Sequence, residues 1–182
     1  YFGVLGRSAV GHNYFDYGPF HFVILDLYSK KPPFGRRGER WFRRHLRRLP
    51  ADKKIIVMMH PPAYTFGRHK VSKTLMRWRE LLDDERIITV LAGHCHVYEH
   101  FKVGSIHYLT LGGGGATLHK VNMNPIEGEE DLQVMTEKRH HYMVMTVSED
   151  SILFEVIDSR SGETFDTWQV EIEIEQTKGK GR

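Results

Sequence analysis

The chain has 182 residues, enough for one domain with its own core, and its 40% hydrophobic and 27% charged residues are typical of a globular protein rather than a disordered one. The mild net charge of +3, with a pI near 9.0, does not by itself indicate nucleic-acid binding. The single cysteine excludes an intramolecular disulfide, and no apolar run approaches the roughly 20 residues that span a bilayer, so no membrane span is predicted and the compartment stays open.

The first half of the chain alternates apolar strands with one-sided helices. Short aliphatic runs indicate buried strands, and apolar residues three or four positions apart indicate helices. The predicted elements are, in chain order, a strand over residues 20–27, a helix over 41–49 that ends at Pro50, a strand over Lys54–Met59, a helix over 71–82 and a strand over 87–91. Arginines between residues 36 and 48 fall mostly between the apolar positions of the first helix, which favours a solvated helix face over a phosphate or nucleic-acid site.

Histidines follow the ends of two predicted strands. His60 comes directly after the strand that ends at Met59, and His94 and His96 come just after the strand that ends at Leu91. A strand, a crossover helix and a second strand form parallel neighbours in nearly all proteins, and the carboxyl ends of such strands border the crevice where ligands bind. The sequence therefore predicts that His60 faces His94 and His96 across one crevice.

Imidazole is a good ligand for zinc, iron and manganese. Two histidines two residues apart, with a third from a neighbouring strand, can supply three ligands at one point, so His60, His94 and His96 are candidate metal ligands. Cys95, between two of them, is interpreted as a packed thiol, and the run from Gly112 to Gly115 as a place where the backbone approaches the crevice closely. No partner is predicted for the other histidines of the second half, which are His100, His107, His119, His140 and His141.

The second half of the chain carries shorter strands. Trp168 and Val170 alternate with Gln169 and Glu171, as expected for a strand with one face in water. The predicted strands, all interpreted as antiparallel, cover residues 106–111, 141–147, 151–157 and 164–174. A polar loop is predicted over residues 122–139 and a disordered tail over 176–182.

Four stretches, taken in order, resemble motifs of one family. They are Tyr14-Phe15-Asp16-Tyr17-Gly18, Met59-His60-Pro61-Pro62, Gly93-His94-Cys95-His96-Val97-Tyr98-Glu99, and Tyr108-Leu109-Thr110-Leu111 with the glycine run that follows. The third is similar to the terminal Gly-His-x-His motif of calcineurin-like metallophosphoesterases, and its Tyr-Glu extension resembles the purple acid phosphatase branch. The likeness covers residues 14–115 in register and the closing strands more loosely.

The resemblance implies a fold, a reaction and a set of site residues. The fold is α/β, and this chain would form the carboxyl-terminal half of a four-layer α-β-β-α sandwich with two mixed sheets. The reaction is the hydrolysis of phosphate esters by a hydroxide that two divalent or trivalent metal ions activate. The expected metals are iron, zinc or manganese. No nucleic-acid partner is expected. His60 and His94 would bind one ion and His96 the other. His69 would face the substrate and stabilise the transition state or protonate the leaving oxygen.

The carboxylate and asparagine motifs that precede these stretches in the family have no counterpart in this sequence. Gly11-His12-Asn13 has the composition of one of them but the wrong residue order and position. Residues 1–175 are therefore predicted to be the carboxyl-terminal part of a metallophosphoesterase domain whose other ligands lie in an upstream half. Two alternatives stay open: a noncatalytic metal- or phosphate-binding module of this fold, and a mononuclear zinc hydrolase that uses His94, His96 and a third histidine.

Overall fold

The structure is a computed structural model that describes residues 6–7, 11–27, 35–121, 126–148 and 150–171. The chain divides into two compact units, a larger one over residues 1–140 and a smaller one over residues 141–182. Helices with a mixed sheet in the larger unit, and a second sheet in the smaller one, confirm the predicted α/β class. The assignment of residues 1–175 to one part of a domain stays a prediction.

Within the described residues, eight strands form the sheet of the larger unit. They are β1 (Gly6–Arg7), β2 (Asn13–Tyr17), β3 (Phe20–Leu25), β4 (Lys54–Met59), β5 (Ile87–Ala92), β6 (Tyr98–Val103), β7 (Ile106–Leu111) and β8 (Gln133–Glu137). Their order across the sheet is β1-β2-β3-β4-β5-β7-β6-β8. The central strands β3, β4, β5 and β7 run parallel, and the flanking strands pair antiparallel. The carboxyl ends of β4 and β5 therefore lie side by side, as predicted.

Two helices of the described chain, α1 (Arg36–Leu46) and α2 (Lys73–Leu82), contribute to the core over the parallel strands. Their buried faces meet through Phe42 and Trp78, whose ring centroids are 5.6 Å apart. Neither helix, nor any other in the described ranges, is long and apolar enough to cross a membrane. The predicted solvated arginine face is confirmed by the exposed side chains of Arg43, Arg44, Arg47 and Arg48.

Element boundaries and the second half differ from the sequence-based prediction. α1 ends at Leu46 instead of residue 49, and α2 begins at Lys73, directly after its capping residue Ser72. The predicted polar loop over residues 122–139 is wrong in part, because it contains β8 and a 3₁₀ turn at Glu130–Leu132. β6 was not predicted at all. β7, expected to be antiparallel, pairs antiparallel with β6 but parallel with β5.

The described strands of the smaller unit, β9 (His141–Val147), β10 (Ser151–Asp158) and β11 (Thr164–Glu171), form an antiparallel sheet in the order β11-β10-β9. The central strand buries Ile152, Phe154 and Val156 on one face, as its alternation requires. Phe154 stacks on Trp168 of β11 with ring centroids 4.7 Å apart. The predicted continuation of β11 to residue 174 and the predicted tail lie outside the described residues.

Candidate functional site

His60 and His94 meet where β4 and β5 end. His60 directly follows β4, and the backbone N–H of Gly93, which directly follows β5, donates to the carbonyl oxygen of His60 at 3.0 Å. This bond ties the two strand ends together and leaves the ring centroids of His60 and His94 5.1 Å apart. The topology thus produces the juxtaposition that the strand order predicts.

The turn after β5 presents His94 in a strained backbone conformation. His94 has φ of 66°, and among the described residues it is the one non-glycine residue in this left-handed region. Tight hydrogen bonds hold the turn on both sides, from Cys95 N–H to the Gly93 carbonyl at 2.7 Å and from Val97 N–H to the Cys95 carbonyl at 2.8 Å. Such a conformation costs roughly 1–3 kcal/mol and is most often found at functional sites.

His96 is held next to a histidine that the sequence did not single out, His119. The rings stack with centroids 4.2 Å apart and an interplanar angle of 15°. The His119 N–H donates to the His96 carbonyl at 2.9 Å, and the His96 N–H donates to Nδ1 of His119 at 3.1 Å. Nδ1 of His96 lies 2.9 Å from the carbonyl oxygen of Thr117. The only sequence signal for this return of the chain to the site is the preceding glycine run.

For the neutral form of each ring, these contacts assign opposite tautomers. A carbonyl oxygen can only accept, so Nδ1 of His96 carries its proton and Nε2 is the lone-pair nitrogen. Nδ1 of His119 accepts from a backbone amide, so its ring proton is on Nε2. A metal-binding histidine commonly donates its second ring nitrogen to a backbone carbonyl, which is the arrangement of His96 and not of His119.

His69 completes the cluster, which we call the site histidines: His60, His69, His94, His96 and His119. The His69 ring centroid lies 4.4 Å from that of His94 and 5.4 Å from that of His119. Burial, followed by the proximity of the other four site histidines, lowers the pKa of His94. Burial and then the neighbouring His96, His69 and Arg68 lower the pKa of His119. Both rings therefore favour the neutral form that binds metal ions and donates or accepts hydrogen bonds.

A buried carboxylate holds the loop that carries His69. Glu99 of β6, only 1% exposed, accepts hydrogen bonds from the Thr65 hydroxyl at 2.5 Å and from the Phe66 N–H at 2.8 Å. Burial raises the pKa of Glu99, and these hydrogen bonds partly offset the shift. The same hydroxyl lies 3.5 Å from Sγ of Cys95, which is fully buried. The packed thiol is therefore confirmed, and burial raises its pKa.

The first residue of the glycine run is required by close packing. A Cβ atom built on Gly112 would lie 1.8 Å from the Cys95 carbonyl oxygen and 3.0 Å from Cα of His96. The Gly112 N–H donates to the Val97 carbonyl at 3.1 Å, so the chain after β7 rests directly on the turn that presents the site histidines. The predicted close backbone approach is present at this glycine.

The chemistry of the site histidines suits a transition metal, but they form only part of a coordination shell. His96 has the tautomer and carbonyl partner of a ligand, and His60 and His94 bring two more imidazoles to the same strand ends. Within the ranges that the structure describes, no three histidine, cysteine, aspartate or glutamate side chains converge as ligands of one ion. The residues present therefore fit one side of a metal centre.

In sequence, the chain is similar to two purple acid phosphatases. The chain is 31% identical over 124 residues to purple acid phosphatase 23 of Arabidopsis thaliana, covering 60% of this chain and 26% of that protein. It is 28% identical over 156 residues to purple acid phosphatase 21 of the same plant, covering 70% of this chain and 35% of that protein. The chain thus spans about a third or less of the relatives that it matches. No family model matches the sequence.

Solved structures with the same architecture define the class of fold. GAP50, the anchor in the inner membrane complex of Plasmodium, superposes with a TM-score of 0.69 at 20% identity, over 96% of this chain and 56% of that one. The purple acid phosphatase PPD1 of yellow lupin seeds gives 0.69 at 16% identity, over 87% and 32%. PhoD gives 0.60 at 13% identity, over 89% and 42%. The chain therefore has the calcineurin-like metallophosphoesterase fold, which confirms the resemblance. Its sequence similarity points within that fold to the purple acid phosphatases.

Proposed function

We propose that this chain supplies the histidine side of a two-metal phosphoesterase centre that hydrolyses phosphate esters. The observation that carries the proposal is the meeting of His60 and His94 at adjoining strand ends, with His96 beside them in the tautomer of a metal ligand. His60 and His94 would hold one ion and His96 the other, with iron, zinc or manganese as the expected metals. When bound, such ions polarise phosphoryl oxygens and lower the pKa of an attacking water.

His69 is proposed as the substrate-facing acid. It is exposed, its ring lies 4.4 Å from that of His94, and its loop is pinned to β6 through Glu99. An imidazole fixed beside a metal ligand can donate to a phosphoryl oxygen or protonate the leaving oxygen. The anchored loop keeps this donor beside His94 and His119.

The remaining ligands are proposed to come from the amino-terminal half of the domain. Among the described residues the site histidines bring imidazoles and no carboxylate, whereas bridging two ions calls for an anionic ligand. A second half that carries carboxylates would close the coordination shell, and the greater length of the purple acid phosphatase relatives supports this expectation.

Metal binding tests the proposal. The natural protein that contains this chain is titrated with zinc and manganese by calorimetry, and the double variant H94A/H96A is compared with the control H107Q, which alters a histidine of β7 that is hydrogen-bonded to His100. The double variant is expected to lose at least about tenfold in metal affinity, because losing even a hydrogen-bond partner of a metal ligand typically costs that much. H107Q is expected to keep the wild-type affinity.

Hydrolysis is then measured on the natural protein that contains this chain, with p-nitrophenyl phosphate and each metal. Metal-dependent turnover that H69A lowers by about 100-fold is the expected result for loss of a general acid. Metal binding without turnover would leave the noncatalytic module of the same fold. A single tetrahedral zinc per chain would favour the mononuclear hydrolase. Equal metal affinity in wild type and H94A/H96A would contradict the metal assignment itself.

A further inference from the structure

A groove of about 770 Å³ opens beside the stacked pair of His96 and His119. Its described lining includes Arg68 and Lys120, both exposed, and no acidic side chain. Guanidinium and ammonium groups attract anions where no carboxylate lies beside them. The groove is lined by the proposed metal ligand His96 and by the segment over residues 117–121.

His119 is built into this groove as a hydrogen-bond donor. Its position is fixed by two backbone hydrogen bonds with His96 and by the ring stack. Because Nδ1 is occupied as an acceptor, the proton of the neutral ring is on Nε2. In the opposite tautomer, Nε2 of His96 has a lone pair that can bind a metal cation. Nε2–H of His119 can instead donate a hydrogen bond to an oxyanion. The two stacked rings thus divide metal binding and anion binding between them.

We propose that the groove is a second anion subsite, in which the Nε2–H of His119, Arg68 and Lys120 bind a phosphate group additional to the one that is hydrolysed. The substrate class is then an ester or anhydride with at least two neighbouring phosphates. The inference rests on the proposed function for the location of the reacting phosphate. The chemical reason is charge: no acidic side chain of the described residues lines the groove beside the two cations, and a second phosphate supplies a counter-charge for them.

Binding of inorganic pyrophosphate tests the subsite independently of the metal centre. The chain is titrated by calorimetry at low salt with a chelator present, using pyrophosphate and, separately, inorganic phosphate. Both probes are expected to bind, because either can place one phosphate group in the subsite, and R68Q/K120Q is expected to weaken the binding of each by at least about tenfold. R43Q/R44Q removes the same charge from the exposed face of α1 and serves as the matched control, with unchanged affinity.

Two substitutions of His119 separate its donor from its bulk. H119Q keeps an amide N–H at the position of Nε2, so its affinity for pyrophosphate is expected to stay within about twofold of wild type. In H119N the side-chain amide reaches only as far as Nδ1, so the affinity for pyrophosphate is expected to fall about tenfold. Near-ultraviolet circular dichroism checks that both variants fold.

The outcomes keep the two proposals apart. Equal affinity of wild type and R68Q/K120Q for pyrophosphate and for phosphate overturns the subsite whatever the metal titrations give. Loss of metal binding in H94A/H96A with pyrophosphate affinity retained supports both proposals. Absence of metal binding in the wild-type natural protein that contains this chain, with pyrophosphate binding that depends on Arg68 and Lys120, overturns the two-metal function and leaves the anion subsite standing.

Discussion

The larger unit contains two groups of histidines that look alike in the sequence and differ in how the protein holds them. The site histidines are held through backbone groups, which in His96 and His119 also bond the ring Nδ1 atoms, and their rings lie next to one another at the strand ends. The second group, the core histidines His12, His21 and His45, is fixed through the rings themselves.

Each core histidine uses at least one ring nitrogen in a hydrogen bond inside the protein. His12 is fully buried, accepts the Asp26 N–H at Nδ1 at 3.0 Å, and packs on Trp41 with ring centroids 4.9 Å apart. His21 pairs through Nδ1 with Asp16 at 3.0 Å and through Nε2 with Nε2 of His45 at 2.8 Å. Burial lowers the pKa of His12 and of His45 to about 4 in each case.

The difference teaches that clustering alone does not make a histidine a ligand. The core rings hydrogen-bond to protein groups and stabilise the fold, whereas at the strand ends backbone hydrogen bonds and a turn with positive φ contribute to the positioning. Disrupting the backbone packing should therefore lower the free energy of unfolding most at the site histidines. Removing a ring should lower it most at the core histidines.

The largest effect is expected at Gly112. G112A places a methyl group into the Cys95 carbonyl, a backbone atom that cannot rotate away, so we expect the free energy of unfolding to fall by about 3 kcal/mol or more. Gly114 is the matched control, because its Cβ would meet nothing within 4 Å. Urea denaturation of both variants measures the difference. Equal stability would show that the turn is not held by close backbone packing.

The pH dependence of stability should come from the core histidines. In the unfolded chain a histidine has its ordinary pKa of 6.5, whereas folded His12 and His45 have values near 4. Their contribution is fully present above pH 6.5 and is lost as the pH falls towards 4, because the unfolded chain binds protons that the folded chain excludes. For fully buried His12 the loss is about 2–3 kcal/mol.

H12N isolates this contribution, since the Asn oxygen can accept the Asp26 N–H in place of Nδ1 but does not titrate. Unfolding free energies of wild type and H12N, measured from pH 7 to 4, should converge as the pH falls. Parallel curves would contradict a depressed pKa for His12 and would weaken the contrast between the two histidine groups.

Deleting rings gives the next contrast. H12A opens a cavity beside Trp41 and leaves the Asp26 N–H without its ring acceptor, so we expect a loss of about 2 kcal/mol in the free energy of unfolding. H69A removes an exposed ring and should change the same quantity by no more than about 0.5 kcal/mol. Thermal and urea denaturation at pH 7 test both. A larger loss in H69A than in H12A would reverse the comparison.

The sequence predicts the parts of this comparison that depend on strand order. Lys54–Met59 is an apolar run with the bounds of β4, and its parallel pairing with β5 is enough to place His60 near His94. His119 escapes prediction because hydrogen bonds across the chain, not a fixed spacing to the Gly-His-x-His motif, bring it to His96.

β6 escapes for a related reason. Both of its faces are buried over its first four residues, and these include Glu99 and His100, which no apolar pattern would assign to the interior. Both are buried because the protein supplies their partners: Glu99 binds the Thr65–Phe66 loop, and Nε2 of His100 lies 2.8 Å from Nδ1 of His107. Buried polar groups with internal partners are invisible to hydrophobic periodicity.

The smallest expected effect concerns the strained backbone at His94. Both H94A and H94G remove the imidazole, but only glycine adopts a φ of 66° without steric cost, so H94G should be more stable than H94A by about 1 kcal/mol. The same pair at His96, which is outside the positive-φ region, should favour alanine, because glycine gains more entropy on unfolding. Urea denaturation of the four variants measures both differences. A reversal at His94 alone would mean that the turn relaxes once the ring is gone, and the ring, not the backbone, would then be what holds the site histidine in place.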